Sequence, residues 1–183
     1  MTEFSPPRIG LPRTALGPHA AAHWAARHPE HVALQHVEGE ALSYAETDAL
    51  GRRWALALGE CGVEAGSHVA TLLHNGFAAQ ALWLGLGWLR AVEVPINTAQ
   101  KGPLLHHALS ASDSRFLVTS REFLKTLGDL DAALPVLEHI LLVDGEGGDS
   151  PTDATCIDMR PALERATAEG DLEGPDYRDI AAI

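Results

Sequence analysis

Apolar residues recur at helical spacing in three stretches of the N-terminal half of the chain. Residues 14–27 repeat an apolar position about once per turn and stop at Pro29, which cannot continue a helix. The next stretch, between Ser43 and Gly62, is the best defined. Ser43 and Glu46 form an S-x-x-E capping box at its start, and Gly62 can supply a left-handed residue at its end. Residues 77–91 are apolar on nearly every face, which predicts a helix packed between other elements. The apolar face of the second helix consists of Leu50, Trp54, Leu58 and Cys61.

Short runs of β-branched and apolar residues alternate with these helices. Residues 31–37 and 41–44 are separated by a Glu-Gly-Glu turn and predict a β-hairpin. Further strands are predicted at residues 68–73, 92–97, 115–119 and 140–143. Shorter helices are predicted at residues 104–110, 122–127 and 162–168.

Strands that alternate with helices at these intervals predict an α/β fold, namely a mostly parallel sheet with βαβ crossovers. The uninterrupted apolar run at residues 140–143 suits a strand that is covered on both faces. Residues 179–183 place an acidic residue before an apolar run, which is typical of a strand being entered. We therefore expect the sheet to continue beyond Ile183, since domains usually end on solvated residues.

The negative charge is concentrated late in the chain and excludes some partners. The 183 residues carry a formal net charge of −12, from 25 acidic and 13 basic side chains. Residues 144–179 contain 11 acids and 3 bases, so this stretch alone contributes −8. The chain has no basic stripe that would hold a phosphate backbone, so we expect no nucleic-acid binding.

The compartment follows from the thiols and from the apolar runs. Cys61 and Cys156 belong to no C-x-x-C pair, and no signal peptide precedes them, so a reducing cytoplasm is predicted. Residues 1–13 are interpreted as a loose leader that contains several prolines. The most apolar stretch, residues 77–89, is too short to span a bilayer, so no membrane span is predicted.

None of the motifs associated with catalysis or metal binding is convincing from the residues alone. His19, His23, His28 and His31 lie close in sequence, but Pro29 interrupts them, so surface histidines explain them better than a zinc site. The adjacent His106 and His107 point to different helix faces. Catalytic, cofactor-binding and metal-ligating residues are therefore all left unassigned.

Glycines, thiols and carboxylates have equally plain interpretations. Gly85 and Gly87 lie inside an apolar helix, where close helix packing explains them better than a dinucleotide loop. Residues 145–148 carry an acid and lack the Lys-Ser/Thr that follows a phosphate loop. Cys61 falls on a predicted core face, which favours a structural thiol. The carboxylates Asp129 and Asp131 are predicted to be solvated in a polar turn.

Three segments together resemble the AMP-forming acyl-CoA synthetases of the adenylate-forming ligase superfamily. Residues 41–47 (ALSYAET) resemble the family's LTYxEL box, and residues 63–70 with 73–76 (VEAGSHVA, LHNG) resemble its V-x-x-G-D-x-V-A … L-x-N stretch. Residues 85–102 (GLGWLRAVEVPINTAQKG) are similar to the box that contains A-G-A-V-x-V-P-I-N. Arg90 stands at the glycine of that box and Ser67 at its aspartate; we expect Arg90 to extend to solvent from the helix end. Asn97 favours acyl-CoA synthetases over amino-acid adenylating modules.

The resemblance implies the first part of the large N-terminal domain of the adenylate-forming ligase fold, incomplete over residues 14–183 and truncated before the phosphate loop. Family members couple a carboxylic acid to ATP and then transfer the acyl group to coenzyme A, with Mg²⁺ neutralising the phosphates. Their phosphate loop, YTSGTTGxPKG, follows a strand that resembles residues 179–183, and this chain lacks it. The resemblance thus implies ATP, Mg²⁺, coenzyme A and a carboxylic-acid substrate only for a complete enzyme, and an inactive chain alone.

Two other functional classes stay open at this point. A non-catalytic scaffold could dock on a partner, or on a second copy of the chain, through the edge of the unfinished sheet. A short nucleotide-binding domain of the dehydrogenase type is a third hypothesis, although the glycine fingerprint is missing.

Overall fold

The structure, a computed structural model, describes residues 12–134, 136–145 and 149–183. Short 3-10 helices at Arg13–Ala15 and Arg121–Phe123 supplement the main elements. The main elements in chain order are α1 (Gly17–Arg27), β1 (Val32–Gln35), β2 (Ala41–Ser43), α2 (Tyr44–Glu60), β3 (His68–Leu72), α3 (Phe77–Leu89), β4 (Val92–Pro95), α4 (Gly102–Ala111), β5 (Phe116–Thr119), α5 (Leu124–Gly128), β6 (His139–Leu142), β7 (Thr155–Asp158) and α6 (Arg160–Arg165).

A parallel sheet forms the centre of the fold, with the strand order β4-β3-β5-β6-β7. Every neighbouring pair in it is parallel, and a helix follows each of the first three strands along the chain. Strands β1 and β2 form a separate antiparallel hairpin, as their spacing predicts. The predicted α/β fold with a mostly parallel sheet is confirmed.

Alternate residues of the central strands β3, β5 and β6 belong to two hydrophobic cores on opposite faces of the sheet. Val118 lies in the core that includes Trp54 of α2 and Leu82 of α3. The adjacent Leu117 lies in the other core, with Leu105 of α4. This period of two explains the uninterrupted apolar strands, because both faces are covered by helices.

Helix α2 begins and ends as the sequence predicts. The backbone N–H of Glu46 donates to Ser43 Oγ at 3.3 Å, and the backbone N–H of Ser43 donates to the Glu46 carboxylate at 2.8 Å. Both halves of the capping box are therefore present. Gly62, just past the helix, has φ of +89°, a conformation that side chains rarely adopt.

Glycines allow α2 and α3 to approach closely, so the packing interpretation of Gly85 and Gly87 is confirmed. A Cβ atom added at Gly85 would lie 2.5 Å from Trp54 Cβ and 2.9 Å from the backbone nitrogen of Ala55. One added at Gly87 would lie 2.6 Å from Cγ of Pro18 in α1. Any side chain at either position would have to push a neighbouring helix away.

The region after residue 143 differs most from the sequence-based expectation. Strand β7 was not predicted, because it is an edge strand whose four residues are all at least partly accessible. Helix α6 spans Arg160–Arg165, rather than the predicted 162–168, and Ala166 is already extended. Of the glycine-containing segment at 145–148, residues 146–148 lie outside the described residues. The proposed leader does so too over residues 1–11, and Arg13 already belongs to a 3-10 helix.

The last residues pair with β4, as the strand-like pattern at 179–183 predicts. The N–H of Glu93 donates to the carbonyl of Ala181, and the N–H of Ile183 donates to the carbonyl of Glu93, both at 3.0 Å. The resulting bridge between Glu93 and Ala182 is parallel. It places the C-terminal residues beside β4, on the side away from β3.

None of the helices in the described part of the chain combines the length and apolar character that a bilayer-spanning helix needs.

Candidate functional site

A groove of about 660 Å³ opens at the carboxyl ends of β3 and β4, beside the first half of α3. In open α/β sheets, ligands bind at the carboxyl ends of the strands, because the loops that follow the strands converge there. The groove is lined by Thr71, Leu73, His74, Asn75, Ala79, Gln80, Leu82, Trp83, Glu93, Pro95, Ile96, Asn97 and Thr98. Its position makes it the candidate site.

A half-buried carboxylate, that of Glu93, lies in this groove. The hydroxyl of Thr71 on β3 donates to the Glu93 carboxylate at 2.8 Å. Burial raises the pKa of Glu93 above its ordinary value, and the hydrogen bond from Thr71 offsets this only in part. Among the described residues that line the groove there is no lysine or arginine. The groove therefore has one acid and no fixed positive charge to balance it.

Replacing Glu93 with glutamine should stabilise the chain at neutral pH. The folded-state pKa of Glu93 is raised, so its favourable contribution is complete below the unfolded-state pKa of about 4.3 and is lost as the pH rises through the folded value. Urea unfolding of both proteins at several pH values should give curves that diverge upward from that range, with Glu93→Gln the more stable. Glu40→Gln, an exposed change, serves as the control. Equal stability of Glu93→Gln and wild type at pH 7 would contradict the burial argument.

The rim of the groove offers neutral hydrogen-bonding groups. Asn75 and Asn97 come from the two motif segments that contain β3 and β4, and both line the groove. The side-chain oxygen of Asn97 already accepts a hydrogen bond from the N–H of Ala99 at 2.9 Å. His74 Nε2 lies 3.4 Å from the Glu122 carboxylate, and both side chains are exposed. These neutral groups on the rim can orient a polar ligand.

The clustered histidines are occupied in packing. His28 and His31 stack with ring centroids 4.9 Å apart, and His19 packs edge-on against Trp88 at 5.1 Å. His19 Nε2 also lies 3.1 Å from the carbonyl oxygen of Pro175. In the part of the chain that the structure describes, no three His, Cys, Asp or Glu side chains are grouped to hold a metal ion.

Neither cysteine is placed as a nucleophile. Both thiols are free, and burial raises the pKa of Cys61 and of Cys156. Cys61 lies at the C-terminal end of α2 against the core, with its sulfur 3.7 Å from that of Met159. A raised pKa disfavours the reactive thiolate, so the structural interpretation of Cys61 is supported.

Arg90 differs from expectation, because it does not simply extend to solvent. It adopts the left-handed conformation at the end of α3, with φ of 61°, and its guanidinium binds the Asp179 carboxylate through two hydrogen bonds. Sequence reasoning missed this pair, since 89 positions separate the two residues. The available signal was an arginine at a position where the resembling family has glycine.

The family model described as "AMP-binding enzyme" matches residues 21–183. A comparison with curated proteins gave no significant match.

Several solved structures share the fold. A mutant form of coronafacic acid ligase from Pectobacterium brasiliense superposes with a TM-score of 0.76 and 17% identity, over 91% of this chain and 32% of that one. The anthranilate CoA ligase AuaEII, in complex with anthranoyl-AMP, gives 0.74 and 21%, over 94% and 33%. The N-terminal domain of FACL13 from Mycobacterium tuberculosis gives 0.71 and 24%, over 91% and 40%. This chain thus spans only 32% to 40% of the length of each.

Proposed function

The chain belongs to the family of AMP-binding enzymes, and we propose that it forms the N-terminal part of an ATP-dependent carboxylic acid–CoA ligase. Such a ligase forms an acyl-adenylate and then an acyl-CoA, with fatty acids as one substrate class. In this proposal, residues 14–183 are an incomplete domain that does not catalyse the reaction alone. The two free thiols support a cytoplasmic location.

The observation that carries the proposal is the convergence of the motif segments on one edge of the sheet. Asn75 and Asn97, from two of the resembling segments, line the same groove at the carboxyl ends of β3 and β4. The bridge between Glu93 and Ala182 is parallel to β4, so a chain that continues past Ile183 runs toward that same edge. A loop that follows Ile183 would therefore arrive beside the groove.

The groove itself does not suit the triphosphate of ATP. Phosphate sites need several backbone N–H groups or basic side chains, and the Glu93 carboxylate would repel an anion. The described lining residues contain neither lysine nor arginine. In this proposal, phosphate binding belongs to parts of the enzyme outside this chain.

Asn97 in the P-I-N segment supports an acyl-CoA ligase rather than an amino-acid adenylating module. The resemblance links an asparagine there to acyl-CoA synthetases and an acid to amino-acid adenylating modules. Asn97 lies on the rim of the groove, where its side chain is exposed rather than packed in the core. Acyl chain length is set by other parts of such enzymes.

ATP–pyrophosphate exchange tests the inactivity of the chain. The purified protein, incubated with Mg²⁺·ATP and a panel of aliphatic and aromatic carboxylic acids, should exchange labelled pyrophosphate only at the background rate. Titration of Mg²⁺·ATP into the same sample should give no binding heat. Acid-dependent exchange above background would overturn the proposed inactivity.

A second candidate, a partner-binding scaffold, is favoured by the outer edge of residues 181–183. Their backbone extends the sheet, and Ile180 and Ile183 are 58% and 61% exposed. Such an edge can pair with a second copy of the chain. Light scattering after gel filtration should then show a dimer that dissociates on dilution, whereas a monomer at all concentrations would exclude self-association.

A further inference from the structure

Arg90 has an unfavourable backbone conformation, and its side-chain partners lie far away in sequence. Its φ of 61° and ψ of 26° lie in the left-handed region, at the residue that ends α3. Among the described non-glycine residues, only Arg90 and Asp113 have positive φ. Glycine adopts this conformation without a penalty, whereas a residue with a Cβ atom must be held in it by its surroundings. The side-chain contacts of Arg90 must therefore offset the free-energy cost of this backbone conformation.

Those contacts all reach the acidic C-terminal segment. Arg90 Nε donates to Asp179 Oδ2 at 2.9 Å, and Nη2 donates to Oδ1 at 3.0 Å. The Glu173 carboxylate lies 3.8 Å from Arg90 Nη1. Asp179 also accepts from the N–H of Asp176 at 2.7 Å, and its own N–H donates to the Asp176 carbonyl at 3.0 Å. The Asp179 carboxylate thus closes a turn and accepts a bidentate pair of hydrogen bonds from Arg90. This geometry fixes both the position and the orientation of the carboxylate.

The residues that follow this pair depend on it for their placement. Ala181 and Ile183 exchange two backbone hydrogen bonds with Glu93, at the edge of β4. Ile180 and Ile183 stay largely exposed, so burial of apolar side chains contributes little to holding this end. Asp179 lies only two residues before Ala181, and its side chain is 19% exposed. Among the described side-chain hydrogen bonds and ion pairs, the one between Arg90 and Asp179 lies nearest in sequence to residues 181–183.

We propose that Arg90 is a positioning residue, which uses its ion pair with Asp179 to hold residues 181–183 in their parallel bridge beside β4. Glycine at the end of α3 would adopt the positive φ without strain, but it could not form this ion pair. The importance of the placement rests on the proposed function, because a chain that continues from Ile183 then enters the edge of the sheet beside the groove.

Backbone amide exchange in the intact chain, followed by NMR, tests the anchor. The N–H of Glu93 reports the strand, because it donates to Ala181. The N–H of Val92 is an internal control, because it donates to the carbonyl of Ser67 on the other side of β4. In Arg90→Gln and in Asp179→Asn, we expect Glu93 to exchange about tenfold faster and Val92 to stay unchanged. The double variant should exchange no faster than either single variant, because the two residues act through one contact.

Matched variants separate this role from general destabilisation. Arg165→Gln removes another surface ion pair, with Glu60, and should leave the exchange of Glu93 unchanged. Arg90→Gly should speed exchange at Glu93 without lowering the midpoint of global urea unfolding, since the glycine relieves the backbone. Unchanged exchange at Glu93 in both single variants, or additive effects in the double variant, would overturn the proposal. Either result would leave the proposed ligase function untouched, because pyrophosphate exchange tests that separately.

Discussion

Replacing Gly85 with valine should destabilise the chain by about 3 kcal/mol, the upper end of the usual cost of overpacking. Even a Cβ atom at Gly85 would lie 2.5 Å from Trp54 Cβ, 2.9 Å from the nitrogen of Ala55 and 3.0 Å from the carbonyl oxygen of Gly51. Two of these atoms belong to the backbone of α2, so no side-chain rotation can relieve the clash. Helix α3 would have to move away from α2, with which it makes an extensive contact. Urea unfolding followed by circular dichroism measures the loss.

Gly59→Ala is the matched control for this prediction. Gly59 lies in α2, and a Cβ atom there would meet only Leu89 Cδ2, at an ordinary 4.0 Å. Alanine favours a helix over glycine by about 1 kcal/mol, so this variant should be as stable as wild type or more so. If Gly85→Val were as stable as Gly59→Ala, the close approach of α2 and α3 would be wrong.

Leu117→Ala should cost about 3 kcal/mol, because it leaves a cavity in the centre of the sheet. Leu117 lies on β5, the middle strand, with Ala70 of β3 and Ile140 of β6 as its register partners. Its side chain is fully buried, in the core that α4 and α5 cover. Neighbours on a central strand are held from both sides and cannot collapse into the space. Thermal and urea unfolding should both show the loss.

Leu104→Ala provides the comparison on the surface. Leu104 lies on α4, one of the helices that cover this core, but its side chain is 69% exposed. Its replacement should change the unfolding free energy by less than about 0.5 kcal/mol. Equal losses for Leu104→Ala and Leu117→Ala would contradict the assignment of β5 to the buried middle of the sheet.

Local signals explain why so much of the fold could be predicted from sequence. The capping box of Ser43 and Glu46 involves residues three positions apart, and both of its hydrogen bonds are present. The continuous apolar run of β5 requires cover on both faces, and the two cores supply it. Gly85 could be assigned to close packing because it lies inside an apolar helix and not at a turn. In each case the physical cause lies within a few residues of its effect.

The remaining features depend on residues far apart in sequence. Strand β7 pairs only with β6 and has accessible side chains, so its residues lack the apolar signature of a buried strand. Arg90 and Asp179 meet only when the chain returns to the edge of β4. The groove acid Glu93 resembles an ordinary polar strand residue until the fold places Thr71 beside it. Sequence patterning predicts elements well, but it does not show which polar side chains those elements bring together.

We propose that this chain is the first part of a larger adenylate-forming ligase whose next segment enters the edge of the sheet beside β4. Sequencing the genomic DNA immediately downstream of the Ile183 codon tests it most directly. We expect a segment rich in serine, threonine and glycine, followed by a lysine, in the same reading frame or in a shifted one. Downstream sequence that encodes no such segment in any frame would contradict it.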